Sequence, residues 1–351
     1  MPSELSMQMQ DKAAPGERNF FSDNASSKGF EPLLVKTLCE PLLPHIPRSV
    51  HPNTISLLTH AVAWTTALLA VSSAHLPPLQ RALTLIGAGI GMFMTMIGDC
   101  LDGLHARHTN QCSKLGEMMD HWLDALVVPL ATVGITSALE MPNWAMVSVN
   151  VTAAMIYNAQ LVLYHHTGKF IHPEPTSGTE GQFGLSLGYV AIAGLFYYVD
   201  RHQPWLDILM AAVAIFATFI QLRCSTFYYP MLKRLVREHL WFAAIGLGFG
   251  ALFLWGAIDL HYFLFAVVFT SFRVCGTYVL RTIVKESYDG RDWGLVAFLL
   301  AIYAVHYGIK PEPLYGVRIT NLLAALSCAY AIARNFQDFA RHYGALRPRA
   351  A

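Results

Sequence analysis

Ten predominantly apolar runs of about 17 to 25 residues, each long enough to cross a bilayer as a helix, account for most of the chain. They lie near 54–75, 82–101, 120–140, 144–165, 183–200, 205–222, 240–258, 261–281, 293–309 and 316–334. Little is left between them for a soluble domain. Charged residues make up only 13 % of the 351, against roughly 25 % in soluble proteins, while 54 % are hydrophobic. Proline and polar clusters bound the runs, as in HPN at 51–53, LPP at 76–78 and MPN at 141–143, and mark turns at the membrane edge. The expected fold is all-α and polytopic, with ten transmembrane helices.

Lys and Arg fall unevenly on the two sides that ten spans define. Arg81, Arg201, Lys310 and Arg318 are alone on one side, while the other holds the rest, including Arg107, Lys114, Arg223, Arg281, Arg291, Arg334 and Arg341. The positive-inside rule puts the latter side, with both termini, in the cytoplasm. Residues 1–29 are polar, without the apolar core of a signal peptide, and read as a disordered tail. Residues 30–50 mix Leu, Val and Ile with Lys, Glu and Pro, and read as an amphipathic segment at the cytoplasmic interface. The six cysteines occur singly, which argues against a disulfide framework or a zinc site. Net charge is +1 and positive charge is scattered, so no nucleic-acid groove is expected.

Against this apolar background, GDCLDGLHARHTNQCSKLGEMMDHWLD at 98–124 concentrates acids between the second and third spans. Asp99 and Asp102, three apart, project from one helical face. Glu117, Asp120, His121 and Asp124 occupy the i, i+3, i+4, i+7 stripe that leucines normally fill. A charge in a span costs on the order of 3 kcal/mol, and packed carboxylates repel one another. Arg107 and Lys114 are too few to neutralise them. Oxygen-only donors suit a hard divalent cation such as Mg²⁺ or Mn²⁺, in one or two copies. Metal and arginine together at a membrane surface are what a diphosphate substrate needs, because phosphoryl transfer depends mainly on positioning and charge neutralisation.

The spacing Asp99-x2-Asp102-Gly103-x2-Ala106-Arg107-x8-Gly116-x3-Asp120-x3-Asp124 resembles, without departure at its eight fixed positions, the signature of the CDP-alcohol phosphotransferase family. Its surroundings are similar to the choline/ethanolamine phosphotransferase branch, as are HPNTIS at 51–56 and SGTEGQF at 177–183. Leu104, His105, His108, Lys114 and Trp122 depart from that branch, all outside the fixed positions.

The resemblance implies that Asp99, Asp102 and Asp120 bind the divalent metals that grip the diphosphate, with Asp124 a further ligand or the base that deprotonates the acceptor. It implies that Gly103, Ala106, Arg107 and Gly116 line the CDP site and that Asn53 reaches the nucleotide from the first span. Glu117 and His121 form a pair that orients or deprotonates the acceptor, and Asp124 and His121 stand equal as base. Glu180 is a candidate on the acceptor side. The implied reaction moves phosphoethanolamine or phosphocholine from a CDP-alcohol to diacylglycerol and releases CMP, with Mg²⁺ or Mn²⁺, two ions, as cofactor. Ceramide as acceptor, or another head group, is the alternative. Residues 51–222 would be the catalytic bundle, and 223–351 additional helices with a short tail. The family also implies a homodimer, and the orientation from Lys and Arg faces the site to the cytoplasm, from the endoplasmic reticulum or Golgi of a eukaryote or the inner membrane of a bacterium.

Two other classes compete. Intramembrane carboxylates also serve ion-coupled transporters, and a scaffold could keep the fold without the chemistry. The glycines at 87, 89 and 91 and the GLGFG at 246–250 read as helix-packing faces rather than nucleotide loops. Asn150-Val-Thr152, inside an apolar run, is discounted as a glycosylation site.

Overall fold

The computed structural model describes residues 31–167, 178–199, 203–228, 236–288, 290–309 and 318–346, and the tail expected at 1–29 lies outside them. Among the described residues, helices of 12 to 32 residues overlap the ten apolar runs: α1 (Pro52–Ser73), α2 (Pro78–Thr109), α3 (Lys114–Ala138), α4 (Asn143–Thr167), α5 (Gly178–Tyr198), α6 (Pro204–Tyr228), α7 (Val236–Leu254), α8 (Leu260–Val284), α9 (Trp293–Ala304) and α10 (Ile319–Leu346). No strand occurs among the described residues. Six of the helices, α1, α2, α3, α4, α6 and α8, are long and apolar enough to cross a membrane by length and composition. The chain is an all-α polytopic membrane protein.

Burial sorts these helices. The apolar windows of α8 and α4 are 89 % and 83 % enclosed by protein, whereas that of α6 is 17 % enclosed, so α8 and α4 form the centre and α6 the periphery. Leu79, Leu83, Ile86, Ile90 and Met94 form an exposed stripe along α2, the face left for lipid.

α2 packs on α1 and α5, α1 packs on α3, and α8 sits against α3, α4 and α10. Small residues set how closely α1 and α2 approach. A side chain at Gly91 would meet Thr66, and one at Gly98 would meet Thr59, so paired positions seven apart lock two antiparallel helices. Gly89 faces Ser186 and Val190 of α5, and Gly246, Gly248 and Gly250 face Val151, Leu299 and Val147, as packing positions should. Gly87 meets nothing. Asn150 is buried and donates to Thr136 Oγ1 (3.0 Å) and the Met146 carbonyl (2.9 Å), which removes it as a glycan acceptor.

The segment at 30–50 breaks into short helical pieces, Glu31–Leu34, Val35–Cys39, Glu40–Leu42 and Leu43–His45. Leu34 and Cys39 are buried against Met96 and Leu101 of α2, while Leu33, Leu38 and Leu42 stay exposed, a two-sided pattern suited to an interface. At the end of the bundle remote from the acids, Arg81 joins three helices. It donates to Glu140 (2.5 Å) and the Ala138 carbonyl (2.6 Å), and its guanidinium lies 4.0 Å from the Phe196 ring centre.

Candidate active site

The acidic stretch folds more regularly than its glycines suggest. α2 continues eight residues past the expected span end at 101, to Thr109, so Gly103, Ala106 and Arg107 are all helical. The turn is made instead by Asn110, in the left-handed region at φ 57°, whose N–H bonds the last carbonyls of α2. Ser113 then caps α3, its Oγ accepting from the Gly116 N–H at 3.1 Å. This short reversal sets the end of α2 beside the start of α3.

Carboxylate oxygens of Asp99, Asp120 and Asp124 lie within 4.8 Å of one another, all three residues half-buried. Asp102, one turn beyond Asp99 and itself buried, has Oδ2 held by the Ser56 hydroxyl at 2.5 Å and is not part of that group of three. Four acids in so small a volume, with so few cations, need a positive partner. The three converging carboxylates are an oxygen donor set of the kind a hard divalent cation takes, so the residues fit a metal.

α1 supplies groups whose importance a lone histidine in an apolar run does not announce. Ser56 and His60, buried and one turn apart, both face the acids. His60 Nδ1 donates to the Ser56 carbonyl (2.7 Å), and Nε2 lies 3.3 Å from Asp124 Oδ1. A carbonyl only accepts, so Nδ1 carries a hydrogen, and the contact to Asp124 needs one further proton on Nε2 or on the carboxyl group. Asn53 stands on the same face, and a side chain at Gly116 would lie 3.2 Å from its Oδ1. That glycine leaves α1 and α3 room to meet at the site entrance. Gly103 likewise lies beside the exposed Arg107, whose guanidinium would be 3.4 Å from a side chain there.

On the other flank, Glu117 accepts from the Tyr164 hydroxyl at 2.6 Å, and the His121 ring meets the Tyr164 ring edge-on with centres 5.6 Å apart. Tyr157 donates to the His121 carbonyl at 2.9 Å. His121 Nδ1 is 4.0 Å from Asp120 Oδ2. Two tyrosines of α4 therefore fix the stripe of α3. From α5, Gln182 hydrogen-bonds Asp99, which sets the start of that helix beside the acids; half-buried Glu180 lies two residues earlier on α5. Ser56, His60, Tyr157, Tyr164 and Gln182 carry no spacing signal that links them to residues so distant in sequence.

A helical membrane bundle whose acids gather at the junction of two helix ends defines a class of metal-fitted surface sites, and the comparison with known proteins narrows it. The model of the CDP-alcohol phosphatidyltransferase family matches residues 49–220, so this stretch of the chain carries a domain of that family. The region is similar to cholinephosphotransferase 1 of Bos taurus, 33 % identical over 129 residues, covering 35 % of this chain and 31 % of that one. It is 28 % identical to cholinephosphotransferase 1 of Homo sapiens over 199 residues, covering 54 % and 48 %. The yeast Saccharomyces cerevisiae protein of that name is 28 % identical over 111 residues, covering 31 % and 28 %. The matched region thus spans no more than about half the length of these relatives.

Proposed function

We propose that the chain transfers a phospho-alcohol from a CDP-alcohol to the hydroxyl of a membrane lipid, with phosphocholine or phosphoethanolamine as the group moved and diacylglycerol as acceptor. The observation that carries this reading is the convergence of Asp99, Asp120 and Asp124, with Asp102 one turn on, inside a domain of this family. A transporter built on the same acids would not need that family spacing.

When bound, Mg²⁺ or Mn²⁺ supplies charge neutralisation for the diphosphate. Asp99, Asp120 and Asp124 would hold it, with Asp102, fixed by Ser56, beside them. Arg107 binds phosphate from the exposed end of α2, and Asn53 meets the nucleotide where Gly116 leaves room. The lipid hydroxyl attacks the phosphorus that bears the alcohol, and the bond from that phosphorus to the CMP oxygen breaks. His121 takes the hydroxyl proton at a ring nitrogen. It is preferred to Asp124 because Asp124 is committed to the carboxylate group and to His60, whereas the His121 ring is held by α4 on the flank of that group. Glu180, at the start of α5, borders the acceptor side.

The test is the purified full chain in detergent, assayed for CMP release with CDP-choline and CDP-ethanolamine against diacylglycerol, ceramide, inositol and glycerol phosphate. Turnover with diacylglycerol, lost on chelation and restored by Mg²⁺ or Mn²⁺, is the expected result. Activity with soluble acceptors alone overturns the acceptor assignment, and a requirement for a sealed compartment would favour transport.

A further inference from the structure

Arginine gathers a second time, outside the matched domain. α8, the turn before α9, and α10 enclose a cavity of about 340 Å³ lined by Arg273, Arg281, Arg291, Arg334 and Arg341. Its lining shares no residue with the acidic site, and nearby Trp122 of α3 packs on Phe272, Phe336 and Phe339. Its charges are not balanced evenly. Arg273 uses the two carboxylates that line the cavity, bonding Asp292 through Nε and Asp338 through Nη1, each at 2.7 Å. Arg281 pairs with Glu286.

Arg334 and Arg341 share the face of α10 that carries Asp338, at i, i+7 and i+4. Asp338 is already engaged by Arg273, and Arg341 reaches it only at 3.9 Å. Arg334 Nη1 has a 3.3 Å bond to Gln337, and its buried Nε has no acceptor among the described residues. Arg334 and Arg341 therefore bring planar, charged donors to the cavity that its two carboxylates leave largely unused. A phosphoryl group supplies several charged oxygens in the geometry that guanidinium forks match. Trp293, next to Asp292, is 61 % exposed and packs edge-on against Trp241 with ring centres 5.2 Å apart. Paired indoles of this kind mark headgroup depth.

We propose that this cavity binds a phosphoryl group, presented by an anionic lipid headgroup, at a site distinct from the carboxylate centre. The experiment follows thermal unfolding of the full chain in neutral detergent, titrated with dioctanoyl phosphatidic acid, dioctanoyl phosphatidylcholine or inorganic phosphate. Saturable stabilisation by phosphatidic acid and none by the zwitterionic lipid is expected, and the double variant Arg334→Gln/Arg341→Gln should bind about tenfold more weakly or worse. Equal binding of inorganic phosphate would keep the phosphoryl site and assign a soluble source. Absence of saturable binding by either anion, or a double variant that binds as the parent does, overturns the proposal. Should that variant fail to fold, phenylglyoxal labelling of Arg334 in the parent chain decides: protection by phosphatidic acid or phosphate is expected, and unchanged labelling overturns the site.

Discussion

His60 ties Asp124 to the backbone of α1 through two hydrogen bonds in series, so it orients a carboxylate that the carboxylate group also uses. Partners of this sort tune metal-binding groups by about 10- to 100-fold. His60→Leu should therefore lower kcat by roughly tenfold while the KM for the CDP-alcohol changes little, as steady-state CMP release would show. His121→Ala should cost about 10²- to 10⁴-fold in kcat with CDP-alcohol binding retained, the range for a lost general base. A loss confined to Asp124→Asn would move that role to Asp124. At this scale the acids are legible because helical spacing alone puts Asp99 and Asp102 on one face and Glu117, Asp120, His121 and Asp124 on another, whereas Gly116 and Arg107 stand out only through the resemblance to the family. His60 is not, because its meaning comes from Asp124, 64 residues away in sequence.

The ten runs gave the helices, and proline marked several starts, but the end of α2 is decided elsewhere. An apolar run stops where side chains turn polar, whereas hydrogen bonding carries the helix on to Asn110. Packing between α1 and α2 also escapes a periodicity argument, since it depends on what stands opposite each glycine. Gly98→Ala would drive a methyl group into Thr59, beside Asp99. Overpacking of this kind costs about 1–3 kcal/mol. The variant should melt earlier and lose activity, whereas Gly87→Ala, which meets nothing, should leave both as they are.

Across the whole molecule, the C-terminal helices are attached to the domain through α8, which packs on α3 and α4, and α7, which packs on α4. Trp122, the departure from the related branch inside the acidic stretch, is accommodated because Gly276 of α8 has no side chain to meet it. Close by, Arg273 is buried with Asp292 and Asp338. Arg273→Met would strand both carboxylates, a change worth about 3–5 kcal/mol when a buried pair is broken, and should appear as a large fall in melting temperature or a failure to accumulate. None of this network was visible in sequence, where Arg273 sits alone in one apolar run and Asp292 and Asp338 lie just outside two others.

The length of α2 carries one more consequence. From Pro78 to Asp99 the helix rises about 32 Å at 1.5 Å per residue, close to the roughly 30 Å of a bilayer's hydrocarbon, and another ten residues continue to Thr109. Under the proposed function the helix would act as a ruler, holding the carboxylates at the rim where a lipid hydroxyl and a nucleotide dissolved in water can both arrive. Membrane thickness then becomes a control on rate: in vesicles of lengthening monounsaturated lipids, turnover should peak near that thickness and decline once the rim rises above the acids.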